Sequence, residues 1–169
     1  APLVWSAIAW FSIAGIGACA GRLESDLLAY RQPLRMDRLS DDDCGRLTVE
    51  VSACDATMAA GATRYVRVRL RNRSGAAIGS HPPYPVQWSY RWLDARSGQL
   101  VVAEGVRTAL ARPAAEGSDS SHAVRVVPPE TPGRYRLRLT LVQEWIRWLD
   151  DVGPPVSAEA LVEVTPGTS

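Results

Sequence analysis

Residues 133–142 read Gly-Arg-Tyr-Arg-Leu-Arg-Leu-Thr-Leu-Val, a strict alternation of polar and apolar side chains. Because successive side chains of a β-strand point to opposite faces, this run predicts a strand with one buried and one solvated face. Arg134, Arg136 and Arg138 share the solvated face. Tyr135, at the start of the strand, has the spacing of a tyrosine corner, a feature of one strand in immunoglobulin-like sandwiches.

The same period of two recurs through residues 45–165. Its apolar positions include Leu47, Val49 and Val51; Val66, Val68 and Leu70; Val86, Trp88, Tyr90 and Trp92; and Ala158, Ala160, Val162 and Val164. Shorter strands are expected at 99–103, 107–110 and 122–127, and Gly- or Pro-containing turns separate the runs. Seven to nine short strands over about 120 residues predict an all-β, immunoglobulin-like antiparallel sandwich, with Trp88 buried on its third strand.

The cysteines do not support a disulfide in this sandwich. The second cysteine of the usual inter-sheet bridge is replaced by Leu137, two residues after Tyr135. Cys44 and Cys54 bracket one predicted strand, which would separate them by about 30 Å, far beyond the reach of a disulfide.

Composition limits the chemistry. The chain of 169 residues has 19 basic and 18 acidic side chains, a net charge of +1, and all of its basic residues are arginine. This balance is not that of a nucleic-acid binder, and the missing lysine excludes a lysine Schiff base. His81 and His122 stand in unrelated contexts, with no nucleophile motif, metal-ligand spacing or phosphate loop beside them. We therefore expect no enzyme activity, no cofactor and no metal.

Residues 1–20 carry no charged side chain and, as a helix, would span about 30 Å, the thickness of a bilayer core. We predict a transmembrane helix whose small residues Ala14, Gly15 and Ala18 allow other helices to pack closely. Two alternatives stay open: a lipoprotein signal peptide in which Cys19 is lipidated, and a buried helix of a soluble domain. Residues 21–44 are predicted to form a juxtamembrane amphipathic helix, ended by Pro33, and a linker.

Two groups of exposed side chains are candidate contact sites. Arg67, Arg69 and Arg71 share one strand face, which is typical either of an anion-binding surface or of cross-strand ion pairs with glutamates such as Glu50, Glu159 and Glu163.

The second group is aromatic. Trp145 and Trp148 follow the strand of residues 133–142, and Tyr84 lies in the loop His-Pro-Pro-Tyr-Pro of residues 81–85. Exposed tryptophan in sandwich loops is typical of contacts with a partner protein or a glycan. We expect one of the two tryptophans to pack inward and the other to make contacts.

The runs at 88–94, 103–110 and 132–144, followed by Trp148, resemble an immunoglobulin-like module of bacterial surface-polysaccharide synthesis. That module is attached to glycosyltransferases and methyltransferases, and the resemblance covers residues 45–165. It implies the sandwich fold and a glycan-related role. The family's usual glycine after Val-Gln-Glu is Trp145 here, and its Trp-Phe pair is Trp148-Leu149.

These patterns predict a non-catalytic accessory subunit of a bacterial membrane complex, such as a respiratory or photosynthetic assembly. Its partners would be integral membrane subunits and the lipid bilayer, and no nucleic acid. The alternative is a membrane-tethered or lipidated carbohydrate-binding module of envelope polysaccharide assembly. Arginines after residue 20 favour a cytoplasmic domain, whereas the lipoprotein-like motif at Cys19 favours the periplasmic side, which we expect.

Overall fold

The computed structural model describes residues 32–167, which form one short helix and ten strands. The elements are α1 (Asp41–Gly45), β1 (Leu47–Ala53), β2 (Thr57–Ala59), β3 (Arg64–Asn72), β4 (Val86–Asp94), β5 (Leu100–Val102), β6 (Thr108–Ala109), β7 (Asp119–Val126), β8 (Gly133–Gln143), β9 (Arg147–Trp148), a 3₁₀ turn (Leu149–Asp151) and β10 (Ser157–Thr165).

The strands form two sheets. One has the order β1-β3-β7, and the other has the order β2-β10-β8-β4-β5, with β6 paired to β4 and β9 paired to β8. Neighbouring strands are antiparallel except for β2, which runs parallel to β10. The small sheet of β1, β3 and β7 faces a sheet built on β4, β8 and β10, which is the arrangement of an immunoglobulin-like sandwich. The predicted all-β sandwich is confirmed.

The core lies between the two sheets and is filled by the alternating apolar positions. Trp88, Tyr90 and Trp92 of β4 are at most 1% exposed, and Trp88 occupies the third-strand position predicted for a buried tryptophan. Trp92 donates its indole N–H to the carbonyl of Val127 at 2.9 Å. The edge of its ring packs against Tyr135, at 6.2 Å between ring centroids.

The tyrosine corner is confirmed by a hydrogen bond. The Tyr135 hydroxyl donates to the backbone carbonyl of Thr131 at 2.8 Å, which fixes the loop that leads into β8. Cys44 and Cys54 are free thiols, as their predicted separation requires.

Residues 32–40, hereafter the N-terminal arm, lie against the sandwich, and the juxtamembrane helix predicted before Pro33 lies almost wholly outside the described residues. Leu39 is fully buried in the main core. The buried Gln143 side chain accepts from the Leu39 N–H at 2.9 Å and donates to the carbonyl of Asp37 at 3.0 Å. The apolar residues of the arm do not recur at the spacing of a helix. Its position on the sandwich therefore depends on individual hydrogen bonds such as these.

The acidic run 41–43 forms the first turn of α1. Ser40 and Asp43 cap this helix reciprocally: the Ser40 hydroxyl accepts from the Asp43 N–H, and the Asp43 carboxylate accepts from the Ser40 N–H. Negative charge at a helix N-terminus is favourable, which explains the run without a ligand.

Within residues 32–167, no helix has the length and hydrophobicity of a membrane span. The predicted membrane helix at 1–20, with Ala14, Gly15 and Ala18, and the candidate lipidation site Cys19 lie outside the described residues.

Candidate contact surface at the hairpin end of the sandwich

The β8–β9 hairpin projects from one end of the sandwich. Its turn is closed by a hydrogen bond from the Ile146 N–H to the Gln143 carbonyl at 3.0 Å. Trp145, at the third position of this turn, has φ +61°, a left-handed conformation that favours glycine or asparagine. Its side chain is 81% exposed. Trp145 is therefore the most exposed tryptophan of the described region, and its backbone adopts a conformation that is unfavourable for tryptophan.

The base of the hairpin is fixed to two neighbouring segments. Glu144 donates its N–H to the carbonyl of Pro85 at 3.0 Å, which joins the hairpin to the proline-rich loop. Arg147 forms an ion pair with Asp41 at the start of α1. Since Gln143 also binds the N-terminal arm, the hairpin, the loop 79–85 and the arm share one end of the sandwich, hereafter the hairpin end.

Trp148 lies at the base of the hairpin and is half-buried. It pairs in register with Val142, so its ring lies over the solvent-facing side of the large sheet. The guanidinium groups of Arg91 and Arg107 lie 4.4 and 4.8 Å from its ring centroid. Both distances are within the range of cation–π attraction. Trp148 is thus engaged within the domain, whereas Trp145 is free to contact a partner.

Arg107 is held on several sides at once. Its Nε donates to Glu144 at 2.8 Å, and its Nη1 donates to the Ser89 hydroxyl at 3.1 Å and the Gly105 carbonyl at 3.0 Å. The Arg107 guanidinium that contacts the Trp148 ring is therefore held in a fixed position. No sequence motif marks Arg107, because its partners come from three separate segments.

Asp150 and Asp151 bind Arg91 in different ways. Asp151 accepts two hydrogen bonds from this guanidinium, at 2.7 and 2.9 Å, and they hold the pKa of its carboxyl below the usual value. The Asp150 side chain is only 1% exposed and lies 3.2 Å from Arg91, yet neither of its oxygens has a hydrogen bond. Burial raises the pKa of Asp150, and the nearby Arg91 opposes that effect.

Tyr84, the third predicted aromatic contact, lies next to the hairpin. It is half-buried, and the exposed Arg38 of the N-terminal arm lies 5.8 Å from its ring centroid. Its neighbour Pro85 accepts the hydrogen bond from Glu144, so Tyr84 and Trp145 belong to adjoining loops.

The arginine stripes form the predicted cross-strand ion pairs. On β3, Arg71 binds Asp119 at 2.9 Å and Arg69 lies 3.9 Å from Glu50. Among the described residues, Arg67 has no carboxylate within 4.0 Å.

The β8 stripe is paired along its whole length. Arg134 lies 3.7 Å from Glu163, Arg136 lies 3.7 Å from Glu159, and Arg138 binds Glu159 at 2.8 Å. This surface has few unpaired cations. Most arginines of both stripes therefore form ion pairs within their own sheets.

His81 belongs to the proline-rich loop at the hairpin end, whereas His122 lies on β7. His122 of β7 packs against Trp88, at 5.4 Å between ring centroids, and shares a hydrogen bond of 2.8 Å with the Ser120 hydroxyl. Burial, together with Arg112, lowers the pKa of His122 to about 4, so it is neutral at pH 7. Within residues 32–167, no group of three acidic, histidine or cysteine side chains is arranged to hold a metal ion.

No protein-family model matches the sequence, and no curated protein is significantly similar to it. Among solved structures, the CARDB domain of the PF1109 protein from Pyrococcus furiosus is similar at 17% identity, over 71% of this chain and 94% of that one, with a TM-score of 0.42. A beta-glucosidase from Listeria innocua is similar at 14% identity and a TM-score of 0.46, over 72% of this chain but only 16% of the enzyme. The predicted attachment to polysaccharide glycosyltransferases and methyltransferases stays a prediction.

Proposed function

We propose that this chain is a non-catalytic accessory subunit of a bacterial membrane protein complex. Residues 1–20 attach it to the membrane among the helices of other subunits, and the hairpin end of the sandwich faces that membrane assembly. One observation carries the proposal: exposed Trp145 lies at the same end of the sandwich as the N-terminal arm, which connects to the uncharged segment.

The attachment of the arm supports this orientation. Gln32, the first described residue, accepts a hydrogen bond from the Glu116 N–H at 2.6 Å and donates to the Glu116 carbonyl at 3.3 Å. Residue 116 precedes β7, whose first residues lie at the hairpin end. Only the 11 residues 21–31 separate this point from residue 20.

The conformation of Trp145 supports a contact role. A left-handed backbone disfavours a residue other than glycine by about 1–2 kcal/mol. An exposed side chain regains little of this through packing within the domain. Strained residues that persist in a fold are concentrated at sites of binding and switching. We therefore assign the projecting indole to an intermolecular contact.

Membrane attachment is tested with the full-length chain and a variant carrying Ile8→Arg and Ile13→Arg. Each arginine near the centre of a span disfavours insertion by about 2.5–3.5 kcal/mol. The wild-type chain is expected to stay with membranes through high-salt and alkaline washes, and the variant is expected to be released. Solubilisation in mild detergent should then recover the wild-type chain in a larger assembly.

Two results oppose the proposal. Release of the wild-type chain by the washes would show that the proposed membrane attachment is wrong. A wild-type chain that remains in the membrane but is recovered only as a monomer would remove the accessory-subunit role. A double substitution Ile8→Leu and Ile13→Leu is the matched control, because it changes the same positions without adding charge.

A second candidate function, glycan binding, is favoured by a groove of about 230 Å³ beside the hairpin. Its lining includes Arg107, Glu144, Trp145, Arg147 and Trp148. An exposed indole beside charged donors and acceptors suits the apolar face and the hydroxyls of a sugar.

Glycan binding is tested on an array of bacterial glycans with the full-length chain. Trp145→Ala should abolish binding, whereas Tyr65→Ala, which removes an aromatic side chain that is 64% exposed on β3, should leave it unchanged. An array on which the folded wild-type chain binds nothing would count against this function.

A further inference from the structure

We infer that the hairpin end rests on the lipid headgroup layer and that Trp145 inserts its indole into the bilayer interface. This inference rests on the proposed membrane attachment and adds the orientation of the sandwich and the chemistry of its contact. The partner at Trp145 is therefore phospholipid and not a protein surface.

The first argument is the length of the tether. The 11 residues 21–31 extend at most about 40 Å, which is close to the length of the 11-residue strand β8. The tether joins the sandwich at Gln32, which is bound to Glu116 at the hairpin end. A chain leaving the membrane therefore reaches this end of the sandwich first.

The second argument is the set of contacts that link the N-terminal arm to the hairpin. Gln143 holds both Leu39 and Asp37 of the N-terminal arm, and Arg147 pairs with Asp41 immediately after it. Two hydrogen bonds and one ion pair therefore join this part of the chain to the hairpin. When the arm lies close to the membrane, the hairpin is held close to it as well.

The third argument is the composition of the end itself. Trp145 is 81% exposed and Met36 is 50% exposed, and half-buried Tyr84 and Ile146 lie near them. The exposed Arg38 lies over Tyr84. A few separate apolar and aromatic side chains beside arginine suit the interface of a bilayer, where indole rings lie among headgroups and cations meet phosphate.

A protein partner would need a different surface. Stable protein interfaces centre on a packed apolar patch with few charges. At the hairpin end, Glu144 and Arg147 flank the projecting Trp145, and Asp41 lies beside them. The other large exposed apolar side chains of the described region, Tyr65, Leu100, Val101 and Leu161, lie on β3, β5 and β10 and do not extend this surface.

The experiment uses the full-length chain reconstituted in vesicles of phosphatidylcholine and phosphatidylglycerol that contain phosphatidylcholine brominated at a shallow or a deep acyl position. The emission of Trp145 is obtained as the difference between the wild-type chain and Trp145→Phe, which leaves the other five tryptophans in place. We expect the shallow bromines to remove the greater part of this emission, and the deep bromines to remove much less.

The matched control places a tryptophan away from the hairpin end. Tyr65→Trp, made together with Trp145→Phe, adds an exposed indole near the start of β3, whose last residue Asn72 lies at the hairpin end. Its added emission should be insensitive to both brominated lipids. Equal quenching at positions 65 and 145 would overturn the inferred orientation.

The failure of the inference is distinguishable from that of the proposed function. If the chain floats with the vesicles but the emission of Trp145 is unquenched, the lipid contact is wrong and membrane attachment stands. If Trp145 becomes shielded only when other membrane proteins are added, its partner is a protein and the inference is equally overturned. If the chain does not float with vesicles, membrane attachment fails, and the inference fails with it.

Discussion

Replacing Trp145 by glycine and by alanine separates the strain of its backbone from the loss of its side chain. Both variants remove the whole indole, which is 81% exposed in the wild type. They differ in one methyl group and in their tolerance of φ +61°. We expect Trp145→Gly to be more stable than Trp145→Ala, the reverse of the order found at ordinary positions.

The expected difference is the balance of two effects. A left-handed conformation disfavours alanine by about 1–2 kcal/mol, whereas glycine adopts it freely. The greater freedom of glycine in the unfolded chain offsets about 0.5–1 kcal/mol of that advantage. The net result is a free energy of unfolding about 1 kcal/mol higher for the glycine variant. In a domain of this size, that difference raises the melting temperature by about 4 °C.

The measurement is urea unfolding followed by tryptophan fluorescence, with thermal melting as a second measure. The matched pair is Arg67→Gly and Arg67→Ala on the exposed face of β3, where glycine should be less stable than alanine by about 0.5–1 kcal/mol. Glycine and alanine variants of Trp145 with equal stability, or the same order of stability at both sites, would refute the left-handed conformation. The assignment of Trp145 as a strained contact residue would then lose its basis.

Three other substitutions test the rest of the structure. Asp150→Asn is expected to raise stability at neutral pH, because burial raises the pKa of the Asp150 carboxyl and disfavours its charge in the folded state. Since the folded state then keeps its proton at pH values where the unfolded chain has lost it, wild-type stability falls as pH rises through the folded pKa. The advantage of the variant should vanish below the unfolded value of about 3.9, as urea unfolding across pH would show. Tyr135→Phe removes the hydrogen bond to Thr131 and should lower the free energy of unfolding by about 1 kcal/mol; an unchanged midpoint in urea would mean that the corner contributes nothing. Gln143→Leu leaves two backbone groups of the N-terminal arm without partners and should lower stability by on the order of 3 kcal/mol, with faster proteolysis of the arm, whereas the exposed-site control Gln99→Leu should do neither.

The strands could be predicted because their pattern is local. The alternation around Tyr135 and along β3 specifies one buried and one solvated face. Both faces can be recognised from the residues of that strand alone. For the arginine stripes the sequence left an anion-binding surface and cross-strand ion pairs open, and the structure shows ion pairs because strand register places Glu159 opposite Arg138. The short strands β2 and β9 were not predicted.

The contact surface was predicted only as a set of residue types. Trp145 and Trp148 were both candidates, and nothing in their spacing distinguishes them. The structure separates them because Arg91 and Arg107, from other segments, lie over Trp148 and leave Trp145 exposed.

The sequence by itself determined the sandwich, its tyrosine corner, the free cysteines and the neutral balance of its arginine-rich strands, because alternation and charge pairing act between neighbouring positions. Only the tertiary structure brought the hairpin, the proline-rich loop and the N-terminal arm to one end. The bond from Leu39 to Gln143 joins residues 104 positions apart, and the pair of Arg147 and Asp41 joins residues 106 positions apart. Contacts at such separations depend on how the two sheets pack, and no local pattern of side chains encodes them.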